Sequence, residues 1–495
     1  FGSSHLHPAQ QKCPWPAMSS SCGFGLLLAA KAVLIWLLAA PNAVAGAPCS
    51  AGEVQRAGAC RPVLRLAGFA GWTGAYAAGP MMNETVAFAL EKINADPTIL
   101  AGYELEVFWL DTRCDRTLAE RLLENLTESA DTPFVGILGG ACSSVSLELA
   151  LEAGNMFHKP VVSPTSTATA LSKREYPFFL RTITPDRLLI VGMAAFVRAC
   201  NWTRALVVYG EIAQFEPDVD LFLKTVTQLD LLSDSFPMQS VHSATAQICS
   251  QDTADRAWQL VRLNRYRIVL ALGYPRHVQC AVCAVQRGMD ARPWLKHERP
   301  VWLFLGWALL DKWWTDGWAC STEMMERAAE YSFQFQPTSY WTQRADRGLT
   351  CLRGVTAADL NASLRSRAPN VDPVLWEEAA VTADAVCLYA LALHAMLQPG
   401  GSYTPSQLGT PALGTFQAFH RALRAQKFVG ASTDTFGFVE GWDYPAGGSF
   451  QLGQIVRGGE DGLLASTVVG NISKHTNADI LNEMRALIGS GKIKW

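Results

Sequence analysis

Residues 134–146 read Phe134-Val135-Gly136-Ile137-Leu138-Gly139-Gly140-Ala141-Cys142-Ser143-Ser144-Val145-Ser146: a short apolar run, a double glycine, then hydroxyls opening the next segment. The apolar run predicts a strand over 134–138, and the stretch from Ser144 predicts a helix. A strand that feeds a helix through a glycine turn is half of a βαβ unit, so the sheet is expected to be parallel and buried on both faces. At such a turn the helix N-terminus supplies free N–H groups and a positive dipole end, both favourable to a carboxylate. Ser143 or Ser144 could equally serve as the helix N-cap, and the residues alone leave both readings open. A second hydroxyl run, Ser163-Pro164-Thr165-Ser166-Thr167, follows the next strand and is expected beside the first at the sheet end.

The same alternation extends in both directions. Strands are expected at 61–67, 104–110, 134–138 and 160–163, with helices at 82–94, 116–127 and from 144. In the first helix Val86, Ala89, Leu90 and Ile93 share one face. A second series begins near Asp186, with helices at 188–199, 218–229, 254–264 and 275–287 and strands at 205–209, 267–273 and 301–305. The pattern predicts an α/β protein of two doubly wound units in tandem. The tail changes character, with helices at 377–397 and 415–425 and strands at 436–440, 449–457 and 464–469.

Composition limits the function classes. The chain has 495 residues, enough for two or three domains, with 41 basic and 44 acidic residues and a formal net charge of -3. No basic stripe suits a nucleic acid. No G-x-S-x-G elbow, G-x-x-x-x-G-K-[ST] loop or H-E-x-x-H helix occurs, and the nine histidines pair with no carboxylate at a suggestive spacing. A non-enzymatic binding protein without a cofactor is expected. Cys280-x-x-Cys283 lacks a second half, so no metal site is expected.

The amino end places the chain in a compartment. Residues 18–45 read as a cleaved secretory signal: Lys31 precedes an apolar run, and Ala43-Val44-Ala45 has the small-residue form of a cleavage site. Sequons at Asn83, Asn125, Asn201, Asn361 and Asn471 fit glycosylation in the same pathway. Of 13 cysteines, Cys13 and Cys22 precede the cleavage. The odd remainder should form disulfides with at least one thiol left over.

Two tryptophans stand at strand exits beside glycine, Trp72 in Gly71-Trp72-Thr73-Gly74 and Trp307 in Gly306-Trp307. Together with Cys142-Ser143-Ser144-Val145-Ser146, Phe178-Phe179-Leu180-Arg181-Thr182, residues 301–307, Cys320-Ser321-Thr322-Glu323-Met324 and Glu378-Ala379-Ala380, they carry a resemblance to the ligand-binding ectodomain of metabotropic GABA type B receptors, class C G-protein-coupled receptors. It spans roughly residues 62–471.

The resemblance implies a two-lobed flytrap of the type-1 periplasmic binding protein class, with segments 62–185 and 306–427 in lobe 1, 186–305 and 428–475 in lobe 2, and 476–495 leading on as a linker. It implies that Ser143 and Thr167 hold a ligand carboxylate, Trp72 and Trp307 cover the ligand, Tyr274 reaches it from lobe 2, and Glu378 pairs with its ammonium. Without it, Glu378 would read as an exposed acid at a helix start. It further implies disulfides Cys114–Cys142 and Cys283–Cys320, a receptor dimer, and a G protein reached through a transmembrane region. The ligand would be GABA or a similar small amino acid, on the extracellular face of the plasma membrane. Ile183 replaces a family histidine and Pro164-Thr165 a Tyr-Gly pair, so the pocket's shape differs from the family's. A non-binding partner subunit, a receptor-cyclase ectodomain and an anchored solute-binding protein are the other readings.

Overall fold

Two parallel-rich sheets, each with helices on both faces, form the two lobes. The computed structural model describes residues 49–495 apart from 57, 75, 130–132, 173–174, 211–214, 229–231, 239, 244–245, 250, 307–311, 316–319, 339–340, 399–401, 411, 447–448, 459–461, 474–475 and 495. The expected signal segment 18–45 and Trp307 therefore lie outside the described residues.

Lobe 1 is built on β2 (Ala59–Ala70), whose long apolar run lies between β3 (Glu104–Asp111) and β4 (Gly136–Gly139). β5 (Val161–Ser163) and β6 (Phe179–Arg181) continue the parallel order, while β1 (Glu53–Arg56) forms an antiparallel hairpin with the start of β2. The connecting helices are α1 (Gly79–Ala95), α2 (Arg116–Glu128) and α3 (Ser143–Asn155). α1 has proline in its first turn, where the missing N–H costs nothing, and Asp115 caps α2 by accepting from Leu118 N at 2.7 Å. α10 (Ala379–Leu397) is long and apolar enough to cross a membrane, but it is mostly buried as the central helix of this lobe. An apolar surface on all sides fits that place. Its Tyr389 hydroxyl donates to the carbonyls of Ile137 and Pro160, and the ring lies where a Cβ on Gly136 would be.

Among the described residues the main sheet of lobe 2 has seven strands, in the order β15 (Leu464–Ile472), β14 (Phe450–Arg457), β13 (Phe333–Pro337), β12 (Val301–Leu305), β11 (Ile268–Leu272), β7 (Arg204–Gly210) and β8 (Leu232–Met238). The last five in that order are parallel, but β13–β14 and β14–β15 are antiparallel, so this sheet is mixed rather than wholly parallel. One face packs on α4 (Asp186–Ala199), α5 (Glu216–Gln228) and α13 (Asn477–Gly489), the other on α6 (Gln251–Asn264), α7 (Pro275–Asp290) and α8 (Thr322–Ala329).

The expected lobe boundaries are corrected at four places. Lobe 1 begins before residue 62, because the Cys49–Cys60 disulfide and β1 bind that stretch to β2. Lobe 2 does not end at 305: α8 and β13 extend it to Pro337, with Phe333 and Phe335 in its core. The return to lobe 2 comes after 436 rather than at 428, since Phe428, Ala431 and Phe436 pack in lobe 1. Residues 436–440 form only isolated bridges. The 476–495 stretch is no linker, because Ile480, Met484 and Ile493 bury against lobe 2.

The three crossings between lobes are tied to one another. At the first and third, Arg181 Nε donates to Asp443 Oδ2 at 2.6 Å and Arg181 N to the Asp443 carbonyl at 2.8 Å. The remaining guanidinium hydrogens reach the carbonyls of Ser166 and Ala168 and the Ser172 hydroxyl, which in turn donates to Asp443. At the second and third, Thr338 N donates to the Ser449 carbonyl at 3.0 Å, and the two hydroxyls lie 2.6 Å apart.

Disulfides join Cys49–Cys60, Cys114–Cys142, Cys283–Cys320 and Cys351–Cys387, including both pairs implied by the resemblance. Cys280 is also disulfide-bonded, and Cys200 is the free thiol among the described residues. Of the five sequon asparagines, Asn125, Asn201 and Asn471 are exposed, and Asn83 and Asn361 are partly buried.

Candidate functional site

The C-terminal ends of the parallel strands of lobe 1 bring four loops to one edge, the usual ligand position in an open α/β sheet. The loop after β2 carries Trp72 and Tyr76, the loop after β3 Cys114, the turn after β4 Ser143, and the loop after β5 Thr167. The first three are fastened together. Trp72 N donates to Asp111 Oδ1 at 3.0 Å, Gly79 N to the Gly71 carbonyl at 2.8 Å, and Cys114–Cys142 joins the β3 loop to the start of α3. Gly74, at φ 94°, lies so close to the Arg113 carbonyl that any Cβ would collide with it. The half-buried Trp72 indole meets Trp109 edge-on, with centroids 5.5 Å apart.

The hydroxyl clusters divide sharply in use. Ser146, Ser163 and Ser166 all point at the Gly140 carbonyl, and Thr165 donates to the Ala141 carbonyl at 2.8 Å. These groups shape the turn. The cap of α3 is Cys142, and it makes no side-chain cap bond, so neither Ser143 nor Ser144 takes the capping role. Ser143 occupies the first helical position, buried, with Oγ accepting from Ala168 N at 3.2 Å. Its O–H is donated to no group among the described residues. It is thus a donor placed at an uncapped helix N-terminus.

Thr167 differs from expectation. Its hydroxyl donates to Asp186 Oδ2 at 2.9 Å, and Asp186 N returns a bond to the Thr167 carbonyl at 2.8 Å. Thr167 therefore positions Asp186 and does not offer its proton to a ligand carboxylate.

Glu378 ends a 3-10 turn before α10 and is half-buried, contrary to its reading as an exposed helix-start acid. The Tyr76 hydroxyl donates to its carboxylate. Burial raises its pKa to about 7 against the opposing effect of that hydrogen bond. The Tyr76 carbonyl lies 3.7 Å from Cys114 Sγ, so Glu378, Tyr76, the disulfide and Ser143 form one continuous rim.

Lobe 2 contributes Tyr274, at the C-terminal end of β11 and the start of α7. Its ring packs edge-on against Phe215 at 5.4 Å, and its pKa is pushed up to about 12, first by burial and then by the Asp186 carboxylate. Asp186 thus lies between Thr167 of lobe 1 and Tyr274 of lobe 2. It also raises the neighbouring Asp218 of α5, whose carboxyl is held well above its usual range mainly by complete burial. Sequence reasoning missed Tyr76, Asp186 and Asp218. Asp186 follows Pro185 at a helix start, a position where an acid reads simply as a dipole partner.

Similarity places this arrangement in a family. The model of the "Receptor family ligand binding region" matches residues 81–441. The chain belongs to this receptor ligand-binding family. A metabotropic glutamate receptor of Drosophila melanogaster is 31% identical over 179 residues, covering 31% of this chain and 18% of that receptor. Gamma-aminobutyric acid type B receptor subunit 1 of Mus musculus and of Rattus norvegicus is 29% identical over 264 residues, 52% of this chain and 25% of each relative. The matched stretch thus spans a quarter or less of those relatives' length. The family's periplasmic binding protein-like fold agrees with the two sheets described above.

Because Ser143 holds the donor at the helix N-terminus, Ser143→Ala is expected to weaken binding of a small zwitterion by about 1–3 kcal/mol, the cost of leaving a charged acceptor unpaired. Titration calorimetry checks this, and unchanged affinity would remove Ser143 from the site.

Proposed function

We propose that this chain is the extracellular ligand-binding domain of a class C G-protein-coupled receptor, and that it grips a small amino acid between its lobes so that closure signals to a transmembrane region. The observation that carries this reading is the single rim with an uncommitted Ser143 hydroxyl at a helix N-terminus and a desolvated carboxylate, Glu378. One end suits a carboxylate, the other an ammonium. The proposal includes entry by a signal peptide, glycosylation at the sequons, of which Asn125, Asn201 and Asn471 are exposed, assembly as a receptor dimer, coupling to a G protein, and no catalytic role.

GABA is one candidate ligand, supported by the Ser143 and Glu378 pair. A second reading, an α-amino acid whose ammonium meets Asp186, is favoured by the placement of that carboxylate against Thr167, next to the Ala168 amide bound by Ser143. A thermal-shift screen of the secreted chain against GABA and α-amino acids separates the two. Ligand at about 100 times its Kd stabilises the fold by about 2.7 kcal/mol. The first reading expects the shift to vanish in Glu378→Gln, the second in Asp186→Asn. No shift with any amino acid would favour the non-binding subunit.

The first reading has a pH signature. Glu378 holds a proton in the free protein below about 7, whereas pairing with an ammonium requires the ionised form. Affinity for an amine-bearing ligand should therefore rise between pH 6 and 8 and level off above. Below pH 7, binding should release a proton to the buffer, measurable by calorimetry in buffers of different ionisation enthalpy. The sign for stability is opposite. Between about 4.5 and about 7 the folded state binds the extra proton, so stability from this group is present at low pH and is lost as pH rises through 7.

A further inference from the structure

At the N-terminal edge of β11, the end of the strand opposite Tyr274, lies a cavity of about 390 Å³ that the amino-acid site does not use. Its walls carry four arginines, Arg262, Arg265, Arg267 and Arg292, against one carboxylate, Glu298. A chain with a net charge of -3 concentrates positive charge here. Arg262 and Arg265 are exposed and make no ion pair or hydrogen bond with a described residue, and a cleft lined by one sign of charge raises the local concentration of counter-ions. Arg267 and Arg292 are steadied by the carbonyls of His297 and Gly288, which fixes their positions without neutralising them.

The remaining walls are aromatic. Arg292 stacks over Trp258 at 5.6 Å, and Trp294 stands at the mouth with 73% of its surface exposed. Trp294 and Leu263, beside it on the same cavity, are the two most exposed large apolar side chains among the described residues. Guanidinium groups bind planar oxyanions through paired hydrogen bonds, and a flat indole covers the apolar face of a ring. The two together suit a ring that carries anionic groups.

We infer that this pocket binds a sulfated sugar, the guanidinium groups holding sulfate and Trp294 stacking on the sugar ring. That a glycan is the source rests on the extracellular placement proposed above. The anion chemistry does not, and neither depends on the ligand between the lobes. The test measures binding of the full chain to a heparin hexasaccharide, with inorganic sulfate as competitor and phosphatidylserine vesicles as a separate arm. Arg262→Glu with Arg265→Glu should weaken hexasaccharide binding at least tenfold and lower the salt needed to release it, with an unchanged melting temperature, as both side chains are exposed. Trp294→Ala should weaken the hexasaccharide several-fold while leaving the inhibition constant of inorganic sulfate unchanged. Wild-type affinity in the double variant would overturn the site. Equal binding of a desulfated hexasaccharide, or unchanged binding in Trp294→Ala, would overturn the sulfated sugar as its occupant, as would binding to the vesicles without binding to the hexasaccharide.

Discussion

Replacing Arg181 with alanine is expected to destabilise the protein by about 3–5 kcal/mol, because it strands Asp443 as an uncompensated charge with little access to water. The guanidinium is fully buried and donates to the Asp443 carboxylate, two carbonyls of the 166–168 loop and Ser172, while the Arg181 main-chain N–H donates to the Asp443 carbonyl. These partners come from both sides of the lobe junction, so the loss should affect the relative setting of the lobes as well as unfolding. Denaturant titration of Arg181→Ala measures the first effect. Arg181→Lys should recover only part of it, since an ammonium cannot span the same set of acceptors. A loss below about 1 kcal/mol in Arg181→Ala would show that the crossings are held by other contacts.

The second large effect concerns Glu378. Glu378→Gln should abolish binding of an amine-bearing ligand that uses this carboxylate, a loss of about 2–5 kcal/mol, because truncating one member of a desolvated pair leaves the other charge unpaired. The fold should tolerate the change: glutamine keeps the volume and can still accept from the Tyr76 hydroxyl, and the charged form it removes is one that burial already disfavours. Stability above pH 7 should if anything improve. Calorimetry with the ligand found by screening gives the affinity, and a melting curve gives the fold. Equal affinity in the variant would place the ammonium partner elsewhere, with Asp186, beside Thr167, as the next carboxylate to test.

Strand and helix order was largely legible. Apolar runs of strand length at 134–138 and 301–305, and the shared face of Val86, Ala89 and Ile93, belong to elements that the structure contains with ends displaced by a few residues. β13 lies outside the strands expected from apolar runs, although Phe333-Gln334-Phe335-Gln336 alternates with period two. The alternation fits a strand between a parallel and an antiparallel neighbour, whereas parallel strands buried on both faces read as continuous apolar runs. The linker expected over 476–495 rests on the resemblance alone; α13 forms there, and α4 packed beside it explains why Ile480 and Met484 are buried.

By itself the sequence determined the α/β alternation and the strand-end position of Ser143, and its resemblance implied two disulfides that the structure contains. The alternation and the place of Ser143 depend on local spacing along the chain, which periodicity records directly, whereas the cysteine pairs rest on the resemblance alone. Only the tertiary structure decided where the chain passes between lobes, that Thr167 is committed to Asp186, and that Tyr76 meets Glu378 across 302 positions of sequence. A hydroxyl's partner, and the burial that lifts a carboxyl's pKa, are set by atoms distant in the chain, and no local pattern encodes them.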